Sequence, residues 1–287
     1  MWPPLPGFAP LPPLPSPLDP IGVFDSGVGG LSVLREIRRE LPSEDLVYVA
    51  DSRHAPYGER SAEEIAARAV AVTEFLLGER AKAIVVACNT ATGAAVRQLR
   101  ARFEQPIIAM EPAVKPAVSR TRTGVVGVLA TSRTLASQSF VELLGRLDGG
   151  AQVIVQPCPG LVEKIESGDL YSTETRSLLD RYLAPLLARG ADTIVLGCTH
   201  YPHLRPLIHD LVGSTILVVD SGAAVARQVK RRLAELDRLC AAPRMGTEQF
   251  WTTGDPGKVS AVIAALWPSA AAARPLPESP PAEPTTG

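Results

Sequence analysis

Between residues 21 and 267 the chain alternates short, continuous apolar runs with longer amphipathic stretches. That alternation constrains the fold more than any other feature. The apolar runs are Ile21–Phe24, Leu46–Ala50, Ala83–Ala87, Pro106–Ala109, Gly124–Leu129, Ala151–Val155, Thr193–Leu196 and Ile216–Val219. Each is of strand length and lacks the polar alternation of a half-exposed strand, as expected for strands covered on both faces. The segments between them read as helices: Leu31–Glu40, Ala62–Leu77, Ala94–Phe103, Thr134–Leu144, Thr173–Ala188 and Ala223–Leu236. In the second of these, Ile65, Ala69, Val72, Phe75 and Leu76 fall at helical spacing and make one buried stripe. Buried strands alternating with helices give parallel sheets, so the fold class is α/β.

The pattern also repeats. One half runs strand, Asp25-Ser26, helix, and later a strand ending in Cys88-Asn89-Thr90; the other runs strand, Thr131-Ser132, helix, and later a strand ending in Cys198-Thr199-His200. The intervals from Asp25 to Cys88 and from Thr131 to Cys198 are 63 and 67 residues. Two similar parallel-sheet domains related by a pseudo-twofold axis follow, with a cleft between them. The expected boundaries are 21–112 plus 217–267 for the first domain and 113–216 for the second. Segments 1–20 and 268–287 are Pro-rich and are expected to be disordered tails, because proline removes donors and blocks helix.

The 287 residues suffice for two such cores. The net charge is -1 and no Lys/Arg block stands out. That argues against a nucleic-acid partner or an anionic membrane surface. No apolar run reaches the length of a membrane span. Residues 1–20 carry nine prolines and no basic residue, unlike a secretory signal. A cytoplasmic location is expected. The cysteines at 88, 158, 198 and 240 lie far apart, so disulfides are not expected and a metal site is poorly supported.

In open α/β sheets, ligands bind beyond the carboxyl ends of the strands. Asp25-Ser26-Gly27, Asp51-Ser52, Cys88-Asn89-Thr90, Thr131-Ser132 and Cys198-Thr199-His200 all fall at such ends and are expected to converge on the cleft. A single cysteine there reads first as a small apolar filler. Two of them in symmetric polar junctions read instead as a pair of acid/base thiols. Each sits where a helix N-terminus would lower a thiol from its usual pKa of ~8.5. Cys158, before Pro159, is placed at the edge of the site, and Cys240 is read as structural.

The Gly-rich turn Asp25-Ser26-Gly27-Val28-Gly29-Gly30 matches neither the dinucleotide nor the Walker pattern, and no lysine follows. Its N–H groups suit a carboxylate as well as a phosphate. Asp25 is read as a partner for an ammonium group or a proton, with a helix cap as the plainer alternative. In Pro56-Tyr57-Gly58 the Tyr57 hydroxyl and the close approach allowed by Gly58 suggest a shaped loop, against a simple turn. His200 is placed to orient or relay a proton near Cys198, with Glu166 as its partner or merely as an exposed carboxylate. His203 and His209 are read as helix-surface residues.

On Gly22-Val23-Phe24-Asp25-Ser26-Gly27-Val28-Gly29-Gly30-Leu31, Ala50-Asp51 with Pro56-Tyr57-Gly58, Ala87-Cys88-Asn89-Thr90-Ala91 and Gly197-Cys198-Thr199-His200-Tyr201-Pro202, the sequence resembles the glutamate racemases of the aspartate/glutamate racemase superfamily. The resemblance spans roughly residues 21–267. It implies two α/β domains, glutamate in the cleft and no cofactor. It implies two-base inversion at Cα, with Cys88 acting on D-glutamate and Cys198 on L-glutamate, and Asp25, His200 and Glu166 as auxiliary groups. Asp25, Ser26, Tyr57, Gly58, Asn89, Thr90, Thr199 and His200 would bind substrate. Thr131, at the equivalent strand end of the other half, joins that set by its position. The resemblance also implies D-glutamate supply for peptidoglycan. Glu163 stands near Glu166, and sequence position favours Glu166. The tails fall outside the resemblance.

The chemistry fits these residues independently. Without pyridoxal phosphate, a carbanion at Cα depends on hydrogen bonds and a dry pocket, and none of the five lysines lies at a strand-end cluster where a Schiff base would form. The rival readings are an aspartate or hydantoin racemase of the same superfamily and a non-catalytic anion-binding protein. The histidine after Cys198-Thr199 favours the glutamate branch, and the intact thiols favour activity. Superfamily enzymes are often dimers, so a homodimer is an option the sequence leaves open.

Overall fold

The computed structural model describes residues 15–147 and 149–277. The chain begins with β1 (Ile21–Asp25), α1 (Leu31–Glu40), β2 (Leu46–Ala50), α2 (Ala62–Gly78), β3 (Ala83–Val86), α3 (Asn89–Arg102) and β4 (Ile107–Ala109). It crosses into a second unit of α4 (Val114–Val118), β5 (Val125–Ala130), α5 (Ser132–Ala136), α6 (Gln138–Gly145), β6 (Gln152–Pro157), α7 (Leu161–Glu166), α8 (Thr173–Ala188), β7 (Thr193–Leu196), α9 (Arg205–Val212) and β8 (Leu217–Val219). It returns through α10 (Gly222–Glu235), β9 (Glu248–Thr252), α11 (Pro256–Leu266) and β10 (Arg274–Pro275). Among the described residues no helix is long and apolar enough to cross a membrane.

The two sheets run β10-β9-β2-β1-β3-β4 and β6-β5-β7-β8, and all their pairings are parallel. The order β2-β1-β3-β4 in the first matches β6-β5-β7-β8 in the second. The strands β1, β2, β3 and β7 are buried along their whole length, which is why they are continuous apolar runs. In each sheet the chain reverses direction of winding beside its central strand, and a crevice opens there at the carboxyl ends. Cys88 follows β3 at the first crevice, and Cys198 follows β7 at the second.

Some expected boundaries change. Residues 217–219 do not return to the first domain: Thr193 pairs with Leu217 and Val195 with Val219, so β8 is the second sheet's counterpart of β4. The chain crosses back only after it, where Ser221 Oγ donates to the Glu111 carbonyl of the other crossing segment at 2.5 Å. The helix expected over Thr134–Leu144 is broken at Ser137, whose hydroxyl accepts from Phe140 N and caps α6. The helix expected from Ala94 starts at Asn89, because the Cys88 sulfur accepts from Ala91 N. The C-terminal segment packs through β10: Leu276 N donates to Thr252 O and the Arg274 guanidinium lies over Trp251. Residues 15–20 also pack, with buried Lys82 donating to Pro17 O and pairing with Glu44. The disordered-tail expectations for 1–14 and 278–287 lie outside the described residues.

Candidate active site

The two crevices face each other across one narrow, partly open cavity. Of the candidates, Ser26, Tyr57, Gly58, Cys88, Asn89, Thr90, Thr131, Cys198, Thr199 and His200 line it. Thr134 and Val162 line it as well. Neither stood out in the sequence: Thr134 lies one turn beyond a strand end, and Val162 is an ordinary apolar residue of α7.

Cys88 belongs to the first domain. Its sulfur accepts from Ala91 N at 3.5 Å and lies 3.8 Å from the Ser26 hydroxyl. The expectation of a lowered thiol pKa fails here. Burial pushes the Cys88 thiol well above its ordinary range, and the nearby Asp25 carboxylate adds to this. The single N–H of Ala91 does not offset them. Asp25 lies behind the cavity wall, fully buried. It accepts from Gly30 N at 2.7 Å and from Ser26 Oγ and Thr199 Oγ1. Burial raises its pKa, against the opposing charge of His200. Asp25 therefore caps the Gly-rich turn and also sits beside Cys88.

Cys198 belongs to the second domain. Its sulfur lies 3.6 Å from His200 Nδ1, and His200 Nε2 lies 2.5 Å from Glu166 Oε1. Burial opposes a charge on His200, but the bonds to Cys198 and Glu166 outweigh it and hold its pKa well above the usual histidine value. Glu166 does not line the cavity; it faces a neighbouring crevice and reaches the site through His200. Its Oε1 also accepts from Val28 N at 2.7 Å, so the Gly-rich turn's N–H group is occupied by the protein's own carboxylate. Close packing explains two of the turn's glycines. A Cβ on Gly27 would lie 1.9 Å from Glu166 Oε1, and one on Gly29 would lie 2.2 Å from His200 Nδ1.

Around the thiols are hydroxyls and an amide. Thr90 Oγ1 lies 3.0 Å from both Thr131 Oγ1 and Thr134 Oγ1, tying the domains together. Both side-chain polar atoms of Asn89 are buried without a protein partner. Such orphaned groups are costly unless a ligand uses them.

Three sequence readings are corrected. Asp51 does not point into the cleft. It follows β2, away from the crevice between β1 and β3, and is held by Arg68 through two bonds and by Tyr57, His54 and Thr253. The Tyr57 hydroxyl donates to Asp51 at 2.6 Å, so the residue gives the cavity a wall rather than a hydroxyl. His203 is not on the surface: it is buried in a tight turn, with Nε2 3.2 Å from Gly29 O. His209 is exposed on α9, and Cys158 is buried near the site but does not line the cavity.

With that geometry established, the chain can be set beside known proteins. Residues 21–229 match the family model for Asp/Glu/hydantoin racemases. The chain is 58% identical over 248 residues to the glutamate racemase of Ectopseudomonas mendocina (strain ymp), covering 86% of this chain and 94% of that protein. Among solved structures, a glutamate racemase isoform from Bacillus anthracis matches with a TM-score of 0.82 and 32% identity, covering 90% of this chain and 97% of that one. The Escherichia coli glutamate racemase, solved with L-glutamate and the activator UDP-MurNAc-Ala, matches with a TM-score of 0.76 and 33% identity, covering 86% and 95%. The chain belongs to the Asp/Glu/hydantoin racemase family, as one of its glutamate racemases.

Proposed function

We propose that the chain interconverts L- and D-glutamate by proton transfer between Cα and two opposed thiols, without a cofactor. The observation that carries this reading is the pair of buried cysteines, Cys88 and Cys198, lining one cavity from equivalent strand ends of two domains. The substrate follows from the likeness to glutamate racemases, one of them solved with L-glutamate bound.

In the L-to-D direction the Cys198 thiolate takes the α-proton and becomes a thiol. The electron pair passes into the substrate carboxylate. The Cys88 thiol then delivers its proton to the opposite face and is left as the thiolate. The reverse reaction, or proton exchange with water, restores the starting state. Two features favour the protonation state from which this direction starts. Burial keeps Cys88 protonated. A cationic His200, held by Glu166, gives negative charge on the Cys198 sulfur a hydrogen-bonding partner. Asp25 acts in the opposite sense on the Cys88 side: its buried carboxyl, bonded by Ser26 and lying beside the sulfur, favours the protonated thiol. The unpartnered Asn89 amide offers donors for the substrate's carboxylates. The Ser26, Thr90, Thr131 and Thr199 hydroxyls line the same cavity and reach the substrate by turning from their present partners. The backbone at Gly58 allows close approach beside the Tyr57 ring. The product would supply peptidoglycan synthesis in the cytoplasm, with the enzyme acting as a homodimer.

Incubating the protein with L-glutamate in D2O tests the proposal. Optical rotation is expected to decay with deuterium at Cα of the product, and Cys88→Ala and Cys198→Ala are each expected to abolish it. No exchange from either enantiomer sinks the two-thiol reading. Faster reaction with L-aspartate than with L-glutamate overturns the substrate.

A further inference from the structure

His203 sits one tight turn beyond His200, its backbone N–H bonded to the His200 carbonyl at 3.0 Å. Its ring reaches across the domain boundary to Gly29. A carbonyl only accepts, so Nε2 carries the proton and donates to Gly29 O at 3.2 Å. The same carbonyl lies 2.9 Å from the Ser32 hydroxyl, which is also 2.7 Å from Thr199 O. The other side of Gly29 packs against His200 so closely that a Cβ there would lie 2.2 Å from Nδ1. That nitrogen faces the Cys198 sulfur. Gly29 is thus gripped between two imidazoles, one holding its carbonyl and the other resting on its bare Cα.

We propose that His203 is a positioning residue for the Cys198 side of the reaction: by holding Gly29 it fixes the plane against which the His200 ring is set. The inference rests on the two-thiol reading. An apolar filler of similar size would pack the same space but leave the Gly29 carbonyl only its bonds from Ser32 N, at 3.0 Å, and the Ser32 hydroxyl, with no tie across the domain boundary. His200 and Arg35 of α1 are the charged groups nearest the ring, and a surface crevice outside it carries Glu36, Arg205, His209 and Asp220. A neutral imidazole suits this place, since a second cation beside His200 is resisted. Burial, then the charge of His200, push the pKa of His203 down to about 3.

The test compares His203→Leu and His203→Gln with the parent enzyme. The two enantiomers are equal in energy, so kcat/KM is the same in both directions whatever the variant. The side that is impaired shows only in isotope effects. With L-[2-²H]glutamate the bond to deuterium is broken by Cys198; with D-[2-²H]glutamate it is broken by Cys88. In H203L, kcat is expected to fall about tenfold, as for a modest misplacement of a catalytic group. The isotope effect should rise from the L side and stay level or fall from the D side. H203Q, whose amide can still donate to Gly29 O, should recover most of the loss. A role in stability alone would scale both directions through the folded fraction, measured separately by thermal unfolding, and leave the isotope effects symmetric. Symmetric effects, or an unchanged kcat in H203L, overturn the proposal. Absence of exchange by the parent enzyme overturns the two-thiol reading instead.

Discussion

One oxygen of Glu166, in the second domain, accepts from the backbone N–H of Val28 in the first at 2.7 Å while it holds His200 at 2.5 Å. The Gly-rich turn resembles an anion cradle in sequence, and its anion is this carboxylate. Charge on Glu166 therefore does two things: it closes the turn, and it keeps a buried imidazole protonated.

Replacing Glu166 with Gln separates these roles. The amide oxygen can still accept from Val28, but the charge is gone. Burial then acts on His200 against only the Cys198 bond, so the imidazole loses its proton at a lower pH than in the parent. The alkaline limb of the kcat profile with L-glutamate is expected to move toward lower pH, with kcat down about 10- to 100-fold, the scale of lost acid–base assistance. A full pH–rate profile checks this. A limb that stays in place would mean that Glu166 does not act through His200.

Gly29→Ala tests the fit from the other side. Its Cβ would stand 2.2 Å from His200 Nδ1, and an imidazole cannot yield as a flexible chain end does. Turning the ring breaks its line to Cys198, and a misplaced base of this kind costs on the order of 10²-fold. Gly27→Ala meets the carboxylate end of Glu166 at 1.9 Å, which swings aside at the expense of its bonds to Val28 and His200, so its loss should approach that of Glu166→Gln and stay below that of Gly29→Ala. Steady-state kinetics on both variants should give that order. Equal losses would show that the turn, rather than its contacts, matters.

Asn89→Ala should divide binding from stability. Both of its polar atoms are buried without protein partners, so removing them leaves no protein group unsatisfied. The melting temperature is expected to hold or rise. A lost hydrogen bond to a charged ligand group is worth about 1.5–3 kcal/mol, so KM for glutamate should rise about 10- to 100-fold. A lower melting temperature with unchanged KM would assign Asn89 to the scaffold.

The sequence made the central sheets legible because their strands are buried on both faces, and the repeat made the cysteine pair legible. What it hid follows from edges and neighbours. Glu248–Thr252 is only partly buried and carries polar residues, so β9 does not read as a strand. The strand at 217–219 reads as a return to the first domain because nothing in three apolar residues says which sheet they join; the register with β7 decides it. Asp51 looks like a cleft residue because it follows a strand. Only the strand order shows that β2 lies off the crevice, and only the fold brings Arg68 to it. Burial also reverses the sign expected for Cys88, since a helix start offers partial charge while desolvation acts on the whole thiolate. His203 reads as a helix-surface residue because an amphipathic stretch follows it, but residues 201–204 form a separate tight turn before α9 begins at Arg205.

That misreading leads to the last prediction, which is independent of activity. In the unfolded chain His203 takes a proton near pH ~6.5. In the folded protein it resists until about pH 3, because burial and the charge of His200 oppose it. Between those values the unfolded state binds the extra proton, so this residue makes stability fall as pH falls, with a slope of up to about 1.4 kcal/mol per pH unit. Above the unfolded value it contributes no slope. His203→Gln removes the titration while keeping a donor for Gly29. Its stability, followed by denaturant unfolding across the acid range, should decline less steeply than the parent's, and the two curves should run parallel above neutrality. Parallel curves in acid as well would mean that the His203 ring is protonated in the folded state, and then its Nδ1 must find an acceptor beside His200.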